Sequence, residues 1–182
     1  MNEKDLEESF ATGGDEEINY AIELYGQGLL RYCHSITGNY HDAQDIVQMT
    51  FIKAYSKRKK FKSGTVLSSW LYKIAYNTTI DFIRKKKMLF FLPEKQDETS
   101  FISDDVKEAL KCLSVSDRAL IFSRVIDEKS YSELQYIYGI SASTLRKRYE
   151  RAKKRLAKSL SEVNSYYGKL EGTKWILIKK KY

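Results

Sequence analysis

The 182-residue chain has one proline, two cysteines and nine glycines. So few breakers favour long helices. Cys33 and Cys112 cannot form a disulfide framework, which points to a reducing interior. No apolar run approaches the ~18–20 residues that span a bilayer, so no stable membrane insertion is expected. The opening Met-Asn-Glu-Lys-Asp-Leu-Glu-Glu lacks the basic-then-apolar layout of a secretion signal, and the expected location is the cytoplasm. Hydrophobic content of 42% excludes wholesale disorder.

Acid is scarce in the later part of the chain. Residues 1–50 hold 2 basic and 10 acidic side chains, and residues 51–182 hold 30 and 14. The net charge of +8 therefore joins a segment of −8 to one of +16. That asymmetry suggests a polyanionic partner for the later part.

Residues 1–17 carry seven acids and a Gly-Gly pair and are expected to form a loose tail with at most one short helical turn. Leu24, Leu29, Leu30, Tyr32 and Cys33 then mark the apolar side of a helix from Ile18 to about Ile36, stopped by Gly38-Asn39. In a second helix, capped by Asp42, the stripe Ala43, Ile46, Val47, Phe51 and Ala54 is buried. Asp45, Gln48, Met49 and Ile52 gather on its other side, and Met and Ile among polar neighbours suggest a partner surface. Lys53–Lys62 holds six bases and no acid before a Ser63-Gly64 loop. A third helix, from Leu67 or Ser68 to about Lys87, buries Leu67, Leu71, Ile74, Ala75, Thr78 and Phe82. Its other side presents Tyr72, Lys73, Tyr76, Asn77, Thr79 and, at the margin, Trp70. Asp81 is expected to pair with Lys85 or to cap.

Composition shifts at Pro93, and 93–105 reads as an acidic linker. Beyond it, Val106, Ala109, Leu110 and Leu113 define one helix, and Ser116 caps the next. Ser130-Tyr131-Ser132-Glu133 has the form of a capping box. Its helix ends at Gly139-Ile140-Ser141, and Ser141 can cap a last helix to about Leu160. Helix, glycine-containing turn and basic helix form the layout of a helix-turn-helix. In the last helix Leu145, Tyr149, Ala152 and Leu156 are the buried stripe. The rest is Arg146, Lys147, Arg148, Arg151, Lys153, Lys154, Arg155 and Lys158, with Glu150 the sole acid. Arginine forks at its start suit guanine edges, and later lysines suit phosphates.

Taken together, the segments 42–51, 69–77 and Ile80-Asp81 resemble region 2 of bacterial sigma factors. Leu113-Ser114, Ser130–Leu134 and Gly139–Leu156 resemble region 4. With no region 3 between them, the chain resembles the extracytoplasmic-function (ECF) class of the sigma-70 family. The resemblance implies an all-α fold of two small helical domains joined by a flexible linker. One is a region 2 bundle over 18–92, the other a region 4 helix-turn-helix over 106–160, with 161–182 as an extension. It implies a promoter-recognition subunit, not an enzyme, acting without a cofactor. The implied partners are core RNA polymerase, through the beta-prime clamp helices and the beta flap, and promoter DNA; an anti-sigma protein is a further partner the class often has.

By the same resemblance, Asp45, Gln48, Met49 and Ile52 face polymerase. Lys59, Lys60, Phe61, Lys62, Trp70, Tyr72, Lys73, Tyr76 and Asn77 recognise and open the −10 element. Ser143, Thr144, Arg146, Lys147, Arg148, Arg151 and Lys154 read the −35 element. Gln44 and Met49 stand where the family often has Glu. A dimeric helix-turn-helix regulator working without polymerase is the alternative reading. Cys33, His34 and His41 lack a fourth ligand at a recognisable spacing, so no metal site is expected. Trp175–Ile178 followed by lysines suggests packing or docking rather than a membrane-surface contact.

Overall fold

The structure, a computed structural model, describes residues 2–62, 64–88 and 104–163. Linker positions 93–103 and positions 164–182 of the C-terminal extension, including Trp175–Ile178, lie outside the described residues, while positions 104 and 105, read as linker, begin a helix. Those described are helical, with no strand among them. The helices are α1 (Glu3–Ser9), α2 (Asp15–Thr37), α3 (Tyr40–Lys57), α4 (Leu67–Met88), α5 (Asp104–Leu110), α6 (Val115–Val125), α7 (Tyr131–Tyr138) and α8 (Ala142–Val163). A 3-10 turn, Arg58–Lys60, follows α3.

The acidic start is packed, not loose. Asn2 and Asp5 form a reciprocal cap on α1, and Leu6 and Phe10 are fully or nearly fully buried. Phe10 meets the rings of Phe61 and Trp70 edge-on at 5.8 and 5.9 Å. Glu7 then accepts a hydrogen bond from the Leu67 backbone N–H at 2.7 Å, and Glu3 accepts one from Tyr25 at 2.8 Å. Composition hid this because the two apolar residues sit one helical turn apart among charges.

In α2, Leu29, Tyr32 and Cys33 are buried as expected, but Leu24 is exposed. Asn39, not Asp42, caps α3, and Ser114, not Ser116, caps α6. The Ser130–Glu133 box is present at α7. Asp81 lies exposed and pairs with Arg84 at 3.7 Å, so it is no internal ion pair with Lys85.

Helices α2, α3 and α4 form one bundle and α5–α8 a second. Leu120, Leu134 and Ile137 of the second continue the core of Tyr32, Leu71 and Ala75 in the first. The junction is aromatic and polar. The Tyr138 hydroxyl lies 3.2 Å from that of Tyr32 and 3.0 Å from that of Ser123. Gly28 lets α2 approach α4, since a Cβ there would sit 3.2 Å from the Tyr72 hydroxyl. Gly139 ends α7 at φ +69°, a conformation glycine adopts without strain.

Candidate nucleic-acid and partner interfaces

The first surface is a groove between α2 and α3. Ile22, Gly26, Leu30, Val47, Phe51 and Ile52 line it, with Gln44 and Gln48 at its edge. Ile52 is 65% exposed and Ile22 43%. Asp45 and Gln48 are exposed beside it, while Met49 is half-buried against the core. Four expected residues thus share one face, and α2 adds a wall that the sequence reading missed. The signal was available: Ile18, Ile22 and Gly26 recur at four-residue spacing. Apolar side chains left open between two packed helices make a surface suited to a helical partner.

The second surface is the loop after α3 together with α4. Lys59, Lys60 and Lys62 are exposed. Phe61 and Trp70 are not: they are 4% and 9% exposed and pack edge-on at 5.5 Å under Phe10. Their rings hold the loop to the bundle and offer no face for a base here. Lys73 lies 4.5 Å over the Tyr136 ring, and Tyr76 meets Tyr138 edge-on at 4.7 Å. Tyr72 is 6% exposed, under Lys129, whose ammonium lies 4.3 Å over its ring. Burial, and then the neighbouring Asp127, push the Tyr72 hydroxyl well above its ordinary pKa. Only Asn77 of the expected α4 set is exposed. In this arrangement α7 covers the side of α4 that was read as open.

The third surface is α8. Ser141 opens it, accepting from the Thr144 backbone N–H at 3.3 Å, and Gln135 holds the Ala142 N–H at 3.1 Å. Leu145, Ala152, Leu156 and Leu160 are buried at helical spacing. At 100° per residue, Ser143, Lys147, Arg151 and Lys154 project from the opposite side, and each is exposed. Thr144 and Arg146 are exposed on the flanks, and Arg146 lies 5.0 Å over the Tyr131 ring. Arg148 departs from the expected role. It is turned inward, with Nε donating to Asp117 at 2.6 Å and Nη2 donating to Ser116. Among the described residues no group of His, Cys, Asp and Glu is arranged to hold a metal ion. Buried Cys33 has its thiol pushed up to about 12 by burial, which makes it an inert core residue.

Residues 21–88 match the Sigma-70 region 2 family. Over 173 residues the chain is 30% identical to SigW of Bacillus subtilis (strain 168), an ECF RNA polymerase sigma factor; the match spans 83% of this chain and 92% of SigW. Among solved structures, the sigma factor RpoE from Bartonella quintana, crystallised with the anti-sigma factor NepR, superposes with a TM-score of 0.68 at 26% identity. It covers 80% of this chain and 98% of RpoE. CnrH, solved with the cytosolic domain of CnrY, shares the fold at a TM-score of 0.71 and 21% identity, covering 88% and 97%. With its two helical bundles, open apolar groove and outward basic helix, the chain belongs to the ECF branch of the sigma-70 family of RNA polymerase sigma factors.

Proposed function

We propose that this sigma factor, in the cytoplasm and without a catalytic step of its own, docks on core RNA polymerase and brings it to promoters with matching −10 and −35 elements. The α2–α3 groove, with Asp45, Gln48, Met49 and Ile52, takes the beta-prime clamp helices, and the α5–α8 bundle meets the beta flap. The outward row of α8 enters the major groove of the −35 element, where Arg and Lys donors suit guanine edges and phosphates. Lys59, Lys60, Lys62 and the Tyr72, Tyr76, Asn77 side of α4 engage the −10 strand, whose unpaired bases need ring faces and amides. An anti-sigma protein is a further partner, as NepR is for RpoE.

The observation that carries this reading is the pairing, in one chain, of an apolar groove with an outward basic row. A regulator acting alone has use for the second but not the first. Transcription from promoter fragments by core polymerase mixed with this chain tests it. Specific transcripts are expected only when both are present, with permanganate-reactive thymines in the −10 region. Ile52→Glu is expected to abolish those transcripts while leaving the fold intact. Tight binding of the chain alone to a palindromic site as a dimer, with no effect on polymerase, would instead establish the regulator.

A further inference from the structure

One acid on α6 organises the basic helix. Asp117 lies in the first turn of α6, its backbone N–H held by the Ser114 cap at 3.2 Å, and its side chain is 6% exposed. One carboxylate oxygen accepts from Arg148 Nε at 2.6 Å and the other from Arg155 Nη2 at 2.7 Å. Arg148 also donates through Nη2 to the Ser116 hydroxyl. Burial by itself would push the Asp117 carboxyl up; the Arg148 and Ser114 hydrogen bonds and the two guanidinium charges outweigh it and hold it below its ordinary value.

The two arginines are seven residues apart, so they occupy one flank of α8, turned toward α6. Recognition of guanine by arginine needs two adjacent N–H donors presented together. On Arg148 the Nε and Nη2 edge is already engaged inside the protein. Arg151 donates through Nε only to the Lys147 carbonyl of its own helix, at 3.3 Å, and Lys147, Arg151 and Lys154 are all exposed.

We propose that Asp117 is the positioning residue of the reading helix: it holds half-buried Arg148 and, at the surface, Arg155 as struts against α6, so that the −35 element is read by Ser143, Lys147, Arg151 and Lys154. The ligand class is duplex DNA, and the inference rests on α8 being the −35 reader. It removes Arg148 from the contact set that the helix-turn-helix pattern suggests. It also makes the rotation of α8 about its axis a property of α6.

The test uses polymerase reconstituted with full-length variants, measuring affinity for promoter fragments against salt and across a base-by-base scan of the −35 element. Arg151→Ala is expected to lower the slope of log affinity against log salt by about one and to flatten preference at one position. Arg148→Lys keeps a charge that can still pair with Asp117 but loses the two adjacent donors that base reading needs, and it is expected to leave slope and preference profile unchanged. Asp117→Asn frees Arg148 toward the DNA. It is expected to steepen the salt slope by about one while lowering promoter preference over scrambled DNA about tenfold, the size of one mismatched base pair. A merely destabilised helix would lose affinity without steepening that slope.

If Asp117→Asn fails to fold, the Arg148→Lys scan decides alone. Flattened preference at any position in Arg148→Lys would overturn the proposal. Should Lys147→Ala, Arg151→Ala and Lys154→Ala all leave promoter binding intact, α8 is not the reader and the underlying reading fails. Altered preference in Arg148→Lys together with losses in those three would leave that reading standing and remove only the role of Asp117.

Discussion

Helices α4 and α8 are both assigned to DNA, yet the structure treats them oppositely. The outward row of α8 is open, while Tyr72, Lys73 and Tyr76 of α4 lie against Lys129, Tyr136 and Tyr138. Both helices are 22 residues long and each carries one strong apolar stripe. What separates them is what their second faces can bury. A row of arginine and lysine is costly to remove from water, so it stays outside. A row of tyrosines has ring area to bury and hydroxyls that can be paired, so a neighbouring bundle can close on it. The surface fit to hold unpaired bases is for the same reason fit to be covered by protein. If α8 reads duplex and α4 captures the opened strand, as proposed, the closed arrangement leaves the first surface available and covers the second.

The largest expected effect comes from breaking that cover. Tyr138, partly buried, touches Tyr32, Tyr76 and Ser123 together, and Tyr138→Ala is expected to cost the closed form about 2–3 kcal/mol, below the range for fully buried aromatic truncations. The radius of gyration from small-angle scattering should rise, and the free chain should gain affinity for single-stranded −10 oligonucleotide. Tyr138→Phe, losing only the hydroxyl contacts, should show a smaller change of the same sign, about 1 kcal/mol. An unchanged radius with unchanged single-strand binding in Tyr138→Ala would show that α7 does not gate α4.

A smaller effect follows from pH. Asp127 sits at the junction, facing the Tyr72 hydroxyl of α4, Arg31 of α2 and the neighbouring Lys129, with one carboxylate oxygen buried and unpartnered. Burial pushes its carboxyl up to about 6, against the lowering pull of Lys129, Tyr72 and Arg31. With its unfolded value near 3.9, the folded chain takes up the proton first as pH falls. Stability should therefore rise from pH 7 toward pH 4, by about 2 kcal/mol in all. Below that window Asp117 and Glu133, both held below their ordinary values, begin to withdraw their contributions as pH falls through their folded values. Urea midpoints at pH 7.5 and 5.0 measure the gain, and Asp127→Asn should be flat across the same range. A wild-type midpoint that falls on acidification would contradict the burial of this carboxylate.

The same contrast explains what could be read from sequence. Stripes such as Ala43, Ile46, Phe51 and Ala54 have the period of a helix, and the Ser130–Glu133 box announces a helix start, so those elements were legible. On α8 the same logic placed Leu145, Ala152 and Leu156 inside. The cover on α4 was not legible, because tyrosine is equally at home facing bases and facing protein. Phe61 and Trp70 were misplaced for a related reason: their partner, Phe10, sits in a segment whose acids suggested a loose tail. Arg148 was hidden inside a charge run, since its partner Asp117 is 31 residues away and no local pattern links them.

The smallest effect tests how α4 is anchored at its start by a carboxylate, where α8 has the Ser141 cap and the neutral Gln135 amide. Glu7 reaches from α1 to the Leu67 N–H at 2.7 Å, placing a carboxylate at the positive end of the α4 dipole. Glu7→Gln keeps the acceptor and the shape but removes the charge, so about 0.5–1 kcal/mol of stability should be lost at low salt and less at high salt. Thermal unfolding at two ionic strengths measures this. The same variant should leave −35 affinity untouched, because Glu7 bonds the start of α4 and the neighbouring Phe10 packs on Phe61 and Trp70. The −10 step should weaken slightly, since the loop bearing Lys59, Lys60 and Lys62 loses part of its anchorage. Equal weakening at both elements would mean that the two bundles respond as one body, and that the division between a covered and an open DNA surface does not hold in solution.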